Sequence, residues 1–163
     1  MTHRLSTLAH EAGHVVGGLL AGHRIETARF GPTAKRPNDA GSVTFDFSAS
    51  PDVDMYGHLV AVLMGGMAAG EPPLPWPPLP DPDSTDSFAV ARLVNHLRLS
   101  RSEYMTAVAL AAHHLDEPEV KAAIAKVADA LGQAGELDDR AVRDALGPEL
   151  LRWFAHEAGP CSI

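Results

Sequence analysis

An apolar run from Leu5 to Ala21 carries three ionisable side chains in its middle: His10, Glu11 and His14. Leu5, Leu8, Ala12, Val15, Val16 and Leu19 recur with the period of one buried helix face. The spacing predicts a helix over about His3 to Ala21, with Thr2 as N-cap and Gly22 as the glycine stop. Two imidazoles and a carboxylate are costly on a helix that is otherwise core, unless something compensates for their desolvation. A solvated polar stripe is the plain alternative, but Ala9, Ala12, Val15 and Val16 leave it little room. Gly13, Gly17 and Gly18 each weaken the helix by up to about 1 kcal/mol relative to alanine. Their presence predicts a second backbone packed close against this one.

The compensation this pattern suggests is a metal ion. His10-Glu11-Ala12-Gly13-His14 is H-E-x-x-H. Residues four apart stack on one helix face, so both imidazoles can reach one zinc ion at about 2.0–2.1 Å. Glu11 lies about 100° further round the helix, near enough to hold water at such an ion without ligating it. That arrangement suits hydrolysis, with Glu11 as general base. A catalytic zinc needs a third protein ligand and an open position. The extended pattern with a third histidine two residues past a glycine fails here, because Leu20 stands where that histidine would be. Glu71, Asp81, Asp83, Asp86, His58 and His96 all have suitable chemistry. Asp86 opens a predicted helix, whose N-terminus favours and orients a carboxylate; an ordinary first-turn acid reads the same way.

Beyond the first helix the pattern changes. Ile25, Thr27 and Phe30, then Val43, Phe45 and Phe47, flank the turn-rich stretch Gly31–Gly41 and predict two strands joined by a long hairpin loop. Ser48–Asp54 is a connection. A second helix is predicted over Met55–Ala69, with a Gly65-Gly66 pair that again suggests close approach. Glu71–Asp83 holds seven of the thirteen prolines and is neither helix nor central strand. It reads as a stiff surface connection with Trp76 against the body; a P-x-x-P ligand is the alternative. Four further helices follow: Ser84 to about Leu99, Ser100 (a capping box with Glu103) to about Leu115, Pro118 to about Gly132, and Asp138 to Gly147. Pro148–Ala158 is a short helical tail. The fold class is mainly α, a zincin-type helical domain with one small β-hairpin or sheet. Residues 1–147 are the domain, 71–83 its proline-rich connection and 148–163 a C-terminal helix and tail.

Composition limits the partners. Thirteen basic and 21 acidic residues give a net charge of −8, which argues against nucleic acid or an anionic membrane. No segment reads as a leader or membrane span. The single cysteine, Cys161, excludes an internal disulfide and a cysteine zinc site and leans toward a cytoplasmic location. His113, His114 and His96 read as surface or packing histidines. His156-Glu157 echoes the first motif, but Pro160 stands where its second histidine would be.

The ordered set of features resembles the peptidase domain of the FtsH family, the membrane-anchored ATP-dependent zinc proteases. Four segments carry the likeness: the HEAGH helix at His10–His14, the strand–turn–strand at Ile25–Phe47 with Gly41 before the second strand, the segment Leu63–Glu71, and Thr85-Asp86 followed by Val90, Ala91, Leu93 and Val94. Ile124–Leu146 resembles the family's closing helices, so the likeness spans residues 3–147. It implies His10, His14 and Asp86 as zinc ligands and Glu11 as catalytic base. It further implies an edge strand near Gly41–Phe47 that takes an extended peptide by strand addition. Met67 stands in place of the family's arginine and Gly70 in place of the first glutamate of a pair. Neither the ATPase module nor the membrane anchor is expected here.

The expected function is a stand-alone zinc metalloendopeptidase acting on unfolded or extended polypeptide, without its own ATP-driven unfolding. A separate ATPase or a homo-oligomer are possible partners besides the peptide or protein substrate. Two other functions use the same residues: a non-catalytic, zinc-stabilised binding or regulatory protein, and a zinc amidase on a small substrate.

Overall fold

The first helix, α1 (Thr2–Leu20), packs most extensively on α2 (Met55–Ala68), and glycines set how close they come. A Cβ on Gly13 would lie 2.7 Å from both the Ala68 Cβ and the Met64 carbonyl oxygen. One on Gly17 would lie 2.8 Å from the Ala61 Cα. Neither site admits a larger side chain without separating the two backbones, so the glycine content of α1 is a packing requirement, as its sequence suggests. Ala12, Val15 and Val16 of α1 and Leu59, Ala61 and Met64 of α2 are fully buried.

The computed structural model describes residues 2–32, 40–48 and 54–157. Most of the expected hairpin loop, most of the 48–54 connection and Cys161 fall outside them. Six helices and three strands lie among the described residues. After α1 come β1 (Arg24–Phe30) and β2 (Gly41–Asp46), then α2, α3 (Thr85–His96), α4 (Arg101–Asp116), α5 (Pro118–Ala134), β3 (Glu136–Leu137) and α6 (Asp139–Glu157). The sheet is antiparallel with order β2-β1-β3. Ile25 pairs with Phe45 and Ala28 with Val43, with a register shift between Ile25 and Thr27. Ile25 and Ala28 are buried from the sheet side. Because β1 is central, β2 is an outer strand, and it lies next to α1.

The local signals explain most element ends. Asp54 caps α2 by accepting from the Tyr56 N–H, Ser84 caps α3 through the Ser87 N–H, and Ser100 with Glu103 forms the capping box of α4. Such caps each contribute about 1 kcal/mol. Residues 71–83 carry no helix or strand. Trp76 is half-buried against Tyr104, ring centres 5.8 Å apart, and the Tyr104 hydroxyl donates to the Leu74 carbonyl at 2.8 Å. The proline-rich connection is thus pinned to α4.

Several boundaries differ from expectation. Thr2 lies within α1 rather than capping it. α3 ends at His96, three residues early, where Arg98 takes a positive φ of 52°. α5 runs past Gly132 to Ala134, and Gly135, at φ 78°, is the residue that reverses the chain. Gly132 stays helical, and Leu8 of α1 packs close to it. The short strand β3 was not expected; two residues offer no periodicity to read. It exists because Gly135 turns Glu136 and Leu137 back along β1, where the Phe30 N–H also donates to the Gly135 carbonyl. The break in α6 at Gly147, followed by Pro148, is where the chain signals put it, and Leu150 and Phe154 bury the tail. Among the described residues no helix is long and apolar enough to cross a membrane.

Gly17→Val is expected to destabilise the fold by about 1–3 kcal/mol, the usual cost of overpacking. Urea denaturation reads this directly, and an unchanged midpoint would refute the close-packing role.

Candidate metal centre

The i, i+4 spacing on α1 brings the His10 and His14 Nε2 atoms to 3.1 Å from each other. The first turn of α3 supplies the third group. Asp86 Oδ2 lies 2.7 Å from His10 Nε2 and 2.9 Å from His14 Nε2. Three potential donor atoms from two elements 72 and 76 residues apart thus converge on one point. Asp86 reaches it because Ser84 caps α3 and the Ser87 hydroxyl ties the helix start to the Asp81 and Ser84 carbonyls.

The three groups could hold a metal ion, and a proton shared with Asp86 would also satisfy them. His14 Nδ1 lies 3.2 Å from the Ala61 carbonyl, which can only accept, so Nδ1 carries the proton. In the neutral ring Nε2 is then a bare lone pair, aimed at a carboxylate oxygen. Only a proton or a cation between them makes that contact favourable. Burial opposes a charged His14, but the Asp86 hydrogen bond and the charges of Asp86 and Glu11 outweigh it, and the pKa is raised. Burial likewise disfavours ionised Asp86, and the hydrogen bonds from His10 and His14 reverse this, holding its carboxyl well below the usual range. Both shifts favour a positive charge between the imidazoles and the carboxylate. A tetrahedral zinc with bonds of about 2.0–2.1 Å holds its ligand atoms about 3.3 Å apart. The observed separations need to open only by about half an ångström to admit one.

Two glycines make room for these side chains. A Cβ on Gly65 of α2 would run into the His14 ring. One on Gly41, at the start of β2, would sit 2.6 Å from Glu11 Oε1. Glu11 is buried, with 6% of its surface exposed, and its carboxylate packs where α1 meets the outer strand. A cleft of about 870 Å³ opens over the four residues, walled by Gly41–Phe45 and Phe47 on one side and by Val62, Thr85, Asp86 and Ala89 on the other.

The other ligand candidates lie elsewhere. Glu71 Oε1 is 3.8 Å from His10 Nδ1, behind the ring rather than at the shared point. Asp81 receives the Asp83 N–H and stabilises the turn before α3. His96 is exposed at the far end of α3. His58 Nδ1 lies 3.1 Å from His23 Nε2, and both rings pack edge and face against Phe45 and Phe47. His23 is a functional-site neighbour that the sequence does not advertise, since it follows Gly22 outside any motif. The Ala61 carbonyl that orients His14 is equally silent in sequence; the glycines of α1 and the Gly65-Gly66 pair were readable signs of the close approach alone. His113 and His114 sit by Glu117, and His156 is exposed.

No protein-family model matches the chain, and no curated protein matches it.

The purified chain is expected to take up one zinc ion, and Asp86→Ala to weaken it by more than about 100-fold, since even outer partners of a ligand are worth 10- to 100-fold. Metal titration checks this; undiminished affinity would redirect attention to Glu71.

His23 gives a separate pH signature. Burial, reinforced by neighbouring His58, lowers its pKa to about 4, against about 6.5 in the unfolded chain. Between these values the unfolded state binds the extra proton, so stability falls as pH drops from about 6.5 to 4. One proton corresponds to at most about 1.4 kcal/mol per pH unit. The raised His14 acts above that window and the lowered Asp86 below it. Burial also lowers the pKa of His58, with the His14 charge adding to it, so His58 loses stability over the same acid side. Unfolding midpoints measured across pH 4–6.5 should show the loss, and His23→Phe should reduce it without abolishing it.

Proposed function

We propose that the chain is a zinc-dependent metallopeptidase that hydrolyses peptide bonds in extended polypeptide. The observation that carries the reading is the convergence of His10, His14 and Asp86 beside a buried glutamate, all at the floor of one open cleft. His10, His14 and Asp86 would hold the ion, which supplies Lewis acidity toward water and toward a carbonyl oxygen when bound.

The remaining chemistry belongs to the chain. Glu11 neighbours His10 in sequence but faces the cleft from a different azimuth of α1, beside Gly41. Its carboxylate oxygen takes a proton from the attacking water as the new C–O bond forms. It then returns that proton to the nitrogen as the C–N bond breaks, so the leaving amine departs neutral. Burial keeps this carboxylate at one position, and a structural metal site has no use for such a base. His14 is held in register by the Ala61 carbonyl, a partner behind a ligand of the kind that fixes tautomer and ring direction.

The shape of the cleft favours a polymeric substrate. β2 is the outer strand of the sheet and forms one wall. An extended peptide laid along it can pair with its free backbone edge, leaving the scissile carbonyl over the site. A small-molecule amidase would have no need of that strand.

Glu11→Gln should retain zinc and lose cleavage of an unfolded protein by at least about 100-fold, the usual contribution of a general base. Peptide turnover equal to the parent would overturn the mechanism. Zinc binding with no turnover of any peptide by the parent would instead favour the non-catalytic reading.

A further inference from the structure

The cleft does not stop at the metal centre. A second hollow of about 620 Å³ shares Phe47, His58 and Ala89 with it. Beyond these it is lined by Met55, Arg92, Leu93, Asn95 and His96. The two are continuous: the first lies between β2 and α3, the second between the start of α2 and α3, with Phe47 at the junction. Asp86, Ala89, Arg92 and His96 succeed one another along the groove face of α3, at the three- and four-residue steps of a helix. β2 and the residue after it run the same way, from Gly41 beside Glu11 to Phe47 at the junction.

The charges along this groove are uneven. The metal-centre end carries Glu11 and Asp86. Arg92 is the one lysine or arginine among the described lining residues of either hollow. It is exposed, and among the described residues it has no ion-pair or hydrogen-bond partner. The dipole of α3 accounts for a basic group in its last turn, where His96 stands. It does not account for Arg92, four residues earlier and turned into the groove. In a chain of net charge −8, a guanidinium without a partner that lines a groove is suited to an anionic ligand.

We infer that Arg92 selects substrates with an acidic residue about three positions from the scissile bond, on one side of it; this rests on the peptidase reading above. The distance follows from helix and strand geometry. Six residues of α3 separate Asp86 from Arg92, about 9 Å at 1.5 Å per residue. An extended peptide covers that span in about three residues at roughly 3.3 Å each. Asn95 and His96 add hydrogen-bonding groups at the same end. Phe47 and His58 form the ring-lined passage between the scissile position and the acidic one.

The test uses the zinc-loaded full chain and matched peptides that carry Asp, Asn or Lys at each position around one cleavage site. Asp at one position about three residues away should raise kcat/KM about fivefold over Asn, the range of an exposed ion pair, mainly through KM. Raising the salt from 0.05 to 0.5 M should erase the gain. Arg92→Gln should abolish the discrimination, and Arg92→Glu should reverse it in favour of Lys. Equal rates for Asp, Asn and Lys, or a preference that survives Arg92→Gln, would overturn the inference. Binding of the same peptides to Glu11→Gln, read by fluorescence anisotropy, decides the matter independently of turnover. Peptides that bind with the acidic preference but are never cleaved would keep the inference and sink the peptidase mechanism. Peptides that are cleaved without preference would do the opposite.

Discussion

The close contact between α1 and α2 is the constraint from which the site follows. Gly13 and Gly17 let the two backbones approach until no side chain fits between them. That approach carries the Ala61 carbonyl to His14 Nδ1 and opens, at Gly65, the space the imidazole occupies. A helix pair at an ordinary interaxial distance would leave His14 without its partner and free to turn. The same burial that makes the contact stable makes the histidine costly unless Nε2 has an electropositive neighbour. The packing that holds the fold therefore also creates the demand for a proton or a cation at His14 Nε2.

The second structural decision is the placement of Asp86. The proline-rich connection between α2 and α3 is tied to α4 through Trp76, Tyr104 and Leu74. The turn at Asp81–Ser87 then fixes the start of α3 by side-chain hydrogen bonds. An element without helix or strand thus sets where a carboxylate meets two histidines. Proline suits this task, because a stiff extended segment loses little conformational entropy when pinned at a few points.

β2 relates to the site in a complementary way. Gly41 at its start yields space to the Glu11 carboxylate. Phe45 lies over Gly18 of α1, and Phe47 reaches the His23–His58 pair. One strand therefore supports the proposed base, seals α1 and walls the groove toward Arg92. His23, buried with its Nδ1 unpartnered, is kept neutral by the same aromatic packing.

The amino-acid sequence by itself determined the local elements and the paired histidines. Periodicity, caps and glycine placement act over a few residues, so α1, α2, the capping box of α4 and the break at Gly147 were all legible there. A close neighbour for α1 was legible too, though not which one, since repeated glycines in an apolar helix imply a close backbone. What the chain could not state locally was distance between remote segments. Six residues had the chemistry to join the His10–His14 pair; the residues alone left the choice open, the family likeness pointed to Asp86, and the tertiary structure places Asp86 beside the pair with Glu71 behind the ring. β3, the His23–His58 pair and the groove leading to Arg92 are likewise products of long-range packing. Each depends on where two or more elements meet, and no periodicity within one element records that.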